Sequence, residues 1–177
     1  MSRKYKFRDK ESFSVVYWID VFIRDDYRQV LLDSLKYCQE KKGLEIYAWC
    51  IMTSHVHLII GSKGPKLEDI LRDFKRHTSI TLRKAIQQNP QESRKEWMLW
   101  MMQRAGKQNG NNIDFQFWQQ HNHPIELYNN LMLQQKLDYL HHNPVEAGFV
   151  STAEDYIYSS ARDYAGEKGI ADIILIA

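Results

Sequence analysis

Thr53-Ser54-His55-Val56-His57-Leu58-Ile59-Ile60 is the stretch on which the fold turns. From His55 onward, apart from its two histidines, it is apolar and mostly β-branched, and it reads as a strand. Successive side chains of a strand point to opposite faces. His55 and His57 therefore share one face, and Val56 points to the other. The strand presents two imidazoles side by side on one surface of a sheet whose opposite surface can be buried. Paired imidazoles are a natural start for a divalent-metal site. Two ligands alone do not hold a hard cation, so further groups must come from elsewhere in the chain.

Working outward, residues 44–52 read as a second strand, joined to the first by a turn at Thr53-Ser54. Upstream, residues 13–23 are rich in Val, Ile, Tyr and Phe and predict another strand. Asp25 or Asp26 is placed to cap the helix that follows. Val30, Leu31, Leu35 and Cys38 recur at helical spacing, and Gly43 after Lys41 and Lys42 supplies a stop. Downstream, residues 61–65 form a loop. Leu67, Ile70, Leu71, Phe74, Ile80 and Leu82 line a long helix running toward Gln88, ended by Asn89-Pro90. Residues 92–104 predict a further helix with Trp97, Trp100 and Met101 on one side, and residues 106–112 a polar loop. Phe115, Phe117 and Trp118 suggest a fourth strand. Pro124 separates it from a helix over residues 127–142, with Leu127, Leu131, Leu133, Leu137 and Leu140 buried. A short turn near Gly148 and a tyrosine-rich tail with an apolar end complete the chain.

Strand, helix, strand, strand, helix, strand, helix is the split β-α-β pattern. It predicts an α+β, ferredoxin-like architecture: an antiparallel sheet with helices on one face, and the histidines on the open side of a central strand. At 177 residues the expectation is one domain over 1–177, with a basic N-terminal arm (1–12) and a C-terminal tail from about 150 to 177.

Hydrophobic residues at 44% and charged residues at 26% are ordinary for a globular domain. No apolar h-region follows the N-terminus and no run approaches membrane-spanning length, so a cytoplasmic protein with no membrane partner is expected. Cys38 and Cys50 are not in C-x-x-C spacing and read as buried thiols. The net charge of +2 says little about partners. Arg3, Lys4, Lys6, Arg8 and Lys10 cluster at the N-terminus, and Lys63, Lys66, Arg72, Lys75, Arg76, Arg83 and Lys84 in one later segment. Such clusters suit phosphate contacts. A solvated helix face is the bland alternative.

His121-Asn122-His123 is a second His-x-His and serves as an internal control. It sits at a strand end against Pro124, where a surface or capping role is natural, whereas His55 and His57 are embedded in apolar strand residues. The segment Lys136-Leu137-Asp138-Tyr139-Leu140-His141-His142-Asn143-Pro144 is the best source of further site groups. On a helix Tyr139 and Asn143 share a face. A tyrosine beside a metal suggests a phenolate nucleophile. A phenol titrates at about 10, so it needs help at neutral pH. A divalent cation polarises a phosphate oxygen and stabilises charge as phosphorus is attacked.

With those residues assembled, the chain resembles the HUH single-tyrosine transposases, the small insertion-sequence transposases and their relatives associated with repetitive extragenic palindromes. His55-Val56-His57 followed by helical Tyr139 carries the resemblance. Asp73-Phe74-Lys75-Arg76-His77, the run from Tyr139 through Asn143-Pro144-Val145-Glu146-Ala147-Gly148, and Tyr158-Ser159-Ser160-Ala161-Arg162-Asp163-Tyr164 also look like family segments. The resemblance spans residues 13–165. It implies that the histidines bind Mg²⁺ or Mn²⁺. It also implies that Tyr139 attacks single-stranded DNA to form a 5′-phosphotyrosine and free a 3′-OH, and that hairpin ends are bound. Asn143 corresponds to a polar third ligand, a glutamine in the best-known members. Relatives act as dimers, with the tyrosine helix supplied by the partner, or as monomers.

Alternatives stay open at several positions. Asn143 precedes a proline, which disfavours helical geometry, so it equally suits capping a short helix begun by Pro144. Tyr128, Tyr156, Tyr158 and Tyr164 compete with Tyr139. His141 and His142 are further candidates as ligands or proton carriers. Lys75, Arg76, Arg83 and Lys84 are the candidate DNA contacts. Trp97, Trp100 and Trp118 suit base stacking or core packing. At the level of function, the rivals are a domesticated relative that processes dispersed palindromes and a catalytically silent nucleic-acid-binding module. A rolling-circle initiator or relaxase is disfavoured by the short chain and by a tyrosine lying after the histidines.

Overall fold

The computed structural model describes residues 8–111, 114–120 and 124–176. Strands β1 (Arg8–Ser14), β2 (Leu44–Ile51), β3 (His55–Ser62) and β4 (Ile125–Leu127) form one antiparallel sheet in the order β2-β3-β1-β4. Helices α1 (Asp25–Lys42) and α2 (Leu67–Gln88) are the two crossovers, followed by α3 (Lys95–Lys107), α4 (Asn130–Glu146) and the short α5 (Ala161–Tyr164). This is the ferredoxin-like split β-α-β arrangement expected of the chain, with β3 at the centre.

The two faces of the sheet are built from alternate residues. Val56, Leu58 and Ile60 of β3 join Phe13, Ile46, Trp49 and Ile51 in a core closed by Leu31 and Leu35 of α1 and Phe74, Leu82 and Ile86 of α2. Ile59 faces the other way, into a smaller cluster with Ala48, Cys50 and the α4 residues Leu133, Leu137 and Leu140. A register shift between Ile46 and Ala48 makes the alternation of β2 come out right. Tyr47 and Ala48 both fall on the α4 side, and Trp49 returns to the main core. The two long helices therefore lie on one face, and α4 crosses part of the other.

Several local expectations are corrected. The first strand is Arg8–Ser14; residues 16–23 are two tight turns that pack Val16, Ile19, Val21 and Phe22 inward. Residues 8–12 of the expected arm thus belong to a central strand, where Glu11 is buried. The N-cap of α1 is Arg24; Asp25 and Asp26 lie in the first turn, where carboxylates complement the helix dipole. The fourth strand is Ile125–Leu127, not the Phe115 segment, whose Phe117 and Trp118 are core residues and whose Trp118 makes a single bridge to Val15. Leu127 belongs to that strand. Leu131, Ile80, Trp97 and Trp100 are exposed, because the buried stripes of α4, α2 and α3 run along other residues. His121 and His123 lie outside the described residues. Cys38 and Cys50 are buried and free, as expected.

The tail docks along the edge strand. Ser160 N–H donates to Trp49 O, Ile51 N–H to Tyr158 O and Ile174 N–H to Ile46 O. Pairing of this kind removes the free edge of β2.

A buried carboxylate ties the loop between α2 and α3 to the start of α1. The side chain of Glu92 is fully buried and accepts from Arg24 Nε at 2.8 Å and Arg94 Nε at 3.1 Å. Arg94 Nη1 in turn donates to Asp20 O at 3.0 Å, which anchors the turn segment before α1. Burial alone would raise the Glu92 carboxyl; the Arg94 and Arg24 donors overcome it and hold the group below its ordinary 4.5. A carboxyl lowered in the fold adds stability above its unfolded pKa and loses it as the pH falls through the folded value. Glu92→Ala is expected to cost about 2–3 kcal/mol at neutral pH. The cost reads as a lower urea midpoint with an unchanged slope. The gap between the two proteins should narrow as the pH is lowered from about 5 to 3.

Candidate active site

The β1–β3 register places Ser12 opposite His57 and Ser14 opposite His55. Lys10, Ser12 and Ser14 therefore share the histidine face. Ser12 Oγ lies 2.5 Å from His57 Nδ1, and the Asn143 amide nitrogen lies 3.2 Å from His57 Nε2. Both bonds are satisfied by one tautomer. His57 Nδ1–H donates to the serine oxygen, and the Asn143 N–H donates to the Nε2 lone pair. The two imidazoles stand 4.8 Å apart between centroids at 82°. The Asn143 amide also bonds His55.

Electrostatics keep this pair neutral. His57 is 6% exposed. Burial lowers its pKa to about 3, with the nearby His55 and Lys10 charges acting in the same direction. Burial also lowers His55, opposed by the Asn143 hydrogen bond and the Asp20 carboxylate. Neutral rather than protonated imidazoles are what metal coordination requires.

Helix α4 brings the remaining groups. Leu133, Leu137 and Leu140 form a stripe at helical spacing that packs on Ile59 and its neighbours. Tyr139 and Asn143, four residues apart, flank that stripe on the histidine side. The Tyr139 ring lies 5.7 Å from His57 at 77° and is 47% exposed. Lys10 Nζ sits 4.6 Å from its centroid. Tyrosine and histidines of one chain thus meet. Asn143 does not cap a separate helix: α4 runs through Pro144 to Glu146. The proline is tolerated because it sits in the last turn, buried, with Ala147 N–H still reaching Asn143 O.

Among the described residues, no group of three or more His, Cys, Asp and Glu side chains is placed to hold a metal. The Asn143 amide oxygen is a protein group beside the histidine pair that could serve as a third ligand. Two imidazoles and an amide form a neutral donor set that fits a divalent cation and leaves positions for phosphate oxygens and water.

The other candidates fall elsewhere. His141 is buried with its Nε2 2.8 Å from Ser160 Oγ, so it latches the tail to α4, while His142 is exposed. Tyr156, Tyr158 and Tyr164 donate to Ile51 O, Asp25 Oδ1 and Tyr47 O, respectively. Tyr128 is exposed and precedes α4. Lys75, Arg76, Arg83 and Lys84 lie on α2, across the sheet from the histidines. Lys75 Nζ packs over the Phe13 ring and Arg83 over Phe115, whereas Arg76 and Lys84 are exposed. Ser12 was missed as a site residue, and Lys10 was counted only as part of a charge cluster. Their alternation through Lys10-Glu11-Ser12-Phe13-Ser14 was the available signal.

A family model described as "Transposase IS200 like" matches residues 13–114. The chain belongs to the IS200-like transposase family. The matched segment contains His55 and His57 and ends before α4. Among solved structures, a REP-associated tyrosine transposase bound to a REP hairpin is similar with a TM-score of 0.63. That likeness is at 17% identity and covers 100% of this chain and 96% of that one. At that identity the likeness is one of fold. A provisionally assigned transposase from Deinococcus radiodurans R1 gives a TM-score of 0.46 at 17% identity, over 80% of this chain and 97% of that one. No curated protein matches this transposase.

The tautomer is directly testable. Nitrogen-15 shifts should place the His57 proton on Nδ1, with Nε2 unprotonated from neutral pH down to about pH 4. Asn143→Ala removes the N–H that fixes Nε2 as the acceptor and should yield a mixture of the two neutral tautomers.

Proposed function

We propose that this transposase cuts and rejoins single-stranded DNA at hairpin-bearing ends through a covalent 5′-phosphotyrosine on Tyr139, in a metal-dependent reaction. The observation that supports this most strongly is that Tyr139, His55, His57 and Asn143 converge within one chain. The fold relative described as bound to a REP hairpin supports the hairpin substrate.

The chain's own groups have distinct parts. His55, His57 and Asn143 are the residues that would hold the cation. A bound Mg²⁺ or Mn²⁺ would polarise a non-bridging phosphate oxygen and offset the charge that grows there. Tyr139 Oη attacks phosphorus and loses its proton to water. The Tyr139 O–P bond forms as the P–O3′ bond breaks, and the departing 3′ oxygen takes up a proton as a 3′-OH. Attack of a 3′-OH on the phosphotyrosine reverses these steps and restores the phenol, so no external energy source is needed for joining. Lys10, above the Tyr139 ring, would offer its positive charge to the phosphate. Ser12 holds the His57 ring with Nε2 toward the ligand side.

The test uses 3′-labelled single strands taken from the DNA flanking the protein's own gene, with Mg²⁺ or Mn²⁺. Wild type is expected to form a denaturant-resistant adduct that Tyr139→Phe abolishes. His57→Ala should reduce it by at least about 100-fold and Ser12→Ala by about 10- to 100-fold. No adduct with wild type, or one that survives Tyr139→Phe, overturns the reading. Hairpin binding that ignores His55→Ala and chelator, without cleavage, leaves a silent binding module instead. Mixing Tyr139→Phe with His57→Ala should not restore activity, because the tyrosine acts in cis; restoration would place it in trans. Terminal hairpins and several genomic copies around the gene separate a mobile element from a domesticated processor of dispersed palindromes.

A further inference from the structure

Tyr17 and Trp18 are consecutive, both aromatic, and both held at positive φ, 54° and 55°. That backbone region suits glycine or asparagine, and a bulky side chain there is strained. The surroundings impose it. Val15 N–H donates to Ser54 O, Val16 N–H to Phe117 O, and Phe22 N–H to Thr53 O, so the turn is pinned on both sides. Val15, Val16, Ile19, Val21 and Phe22 are buried around it. Tyr17 and Trp18 face out, 44% and 57% exposed. Burial therefore does not explain why these two positions carry large rings. Strain at an exposed, over-determined position points to a contact outside the chain.

The place of the rings says which contact. The Trp18 ring lies 5.5 Å from the His55 ring at 74°. Tyr17 Oη donates to Gln108 at 3.1 Å, which steadies the turn against the end of α3. Trp18 thus forms a rim of the same surface that carries the imidazole pair, on the far side of His55 from Tyr139. A single strand whose phosphate sits at the histidines places its neighbouring base within reach of this rim.

We propose that Trp18 is a stacking platform for an unpaired nucleobase next to the scissile phosphate, with the strained Tyr17-Trp18 turn holding it in place. The inference rests on the reading of the histidine face as a single-strand phosphate site. Aromatic stacking accepts any base, so Trp18 positions the strand and favours unpaired over duplex DNA without itself reading sequence.

The experiment measures binding in a Tyr139→Phe background, where no cleavage occurs, by fluorescence anisotropy with Mg²⁺. The probes are a short oligothymidine strand and an abasic strand of equal length. The base-bearing strand should bind more tightly by roughly 5- to 150-fold. Trp18→Ala should remove most of that gap while leaving affinity for the abasic strand unchanged, and Trp18→Phe should retain part of it. Trp18→Gly, which relieves the positive φ, should melt no lower than the parent protein. A gap that survives Trp18→Ala overturns the inference, as does an equal loss on both strands or a lower melting point for Trp18→Gly with that equal loss. Adduct formation by the otherwise wild-type chain separates the two readings. An adduct with a surviving gap overturns only the stacking role. A gap lost in Trp18→Ala without any adduct from wild type overturns only the role of Tyr139.

Discussion

The pairing of β1 with β3 is the constraint on which the site depends. Ser12 stands opposite His57, and that one register gives Nδ1 its partner and turns Nε2 outward. A slip of one residue would turn Glu11 and Phe13 to the histidine face and send Ser12 into the helix-covered core. Phe13 prevents it. Its ring is buried against Phe74 and Trp118, and moving it to a partly solvated surface would sacrifice that packing. The hydrophobic core on one side of the sheet thus sets the polar geometry on the other.

A second dependence runs through α4. Its leucine stripe needs the Ile59 side of the sheet, and Tyr139 and Asn143 follow as residues rotated off that stripe. His141 adds a polar latch through Ser160, whose N–H and hydroxyl both meet Trp49 O. Burial pushes His141 down to about 4, so the latch is neutral at ordinary pH. The Tyr158–Tyr164 segment thus holds the back of this helix.

The sheet order and the histidine strand were legible because period-two alternation and a strict order of elements leave few topologies. Tyr139 was legible because helical spacing relates it to Asn143. What failed had physical causes. Residues 16–23 look like a strand by composition, but Val16, Ile19, Val21 and Phe22 are buried by two tight turns. β1 was hidden because its charged residues mask the alternation of Glu11 and Phe13 with Ser12. β4 is three residues long, too short for periodicity to register. Asn143 was ambiguous because the residue before a proline usually leaves a helix, and only the packed last turn of α4 decides otherwise.

The groups gathered around the histidines come from segments with different structural obligations. Ser12, His55 and His57 sit on central strands, where the core leaves little freedom. Lys10 and Tyr139 meet at the open border of the same face, and Tyr139 keeps nearly half its surface exposed. Trp18 stands on a turn whose conformation runs against its own preference. The arrangement places rigid neutral donors at the centre and exposed aromatic groups around them. Under the proposed function, a phosphate held at the centre would meet groups fixed by the core, while Tyr139 and Trp18 lie where a flexible strand can reach them. Exchanging the two sets would fail on either count: a tyrosine buried as deeply as His57 could not meet an incoming strand, and imidazoles as exposed as Trp18 would titrate near their ordinary value and lose their lone pairs to protons as the pH falls.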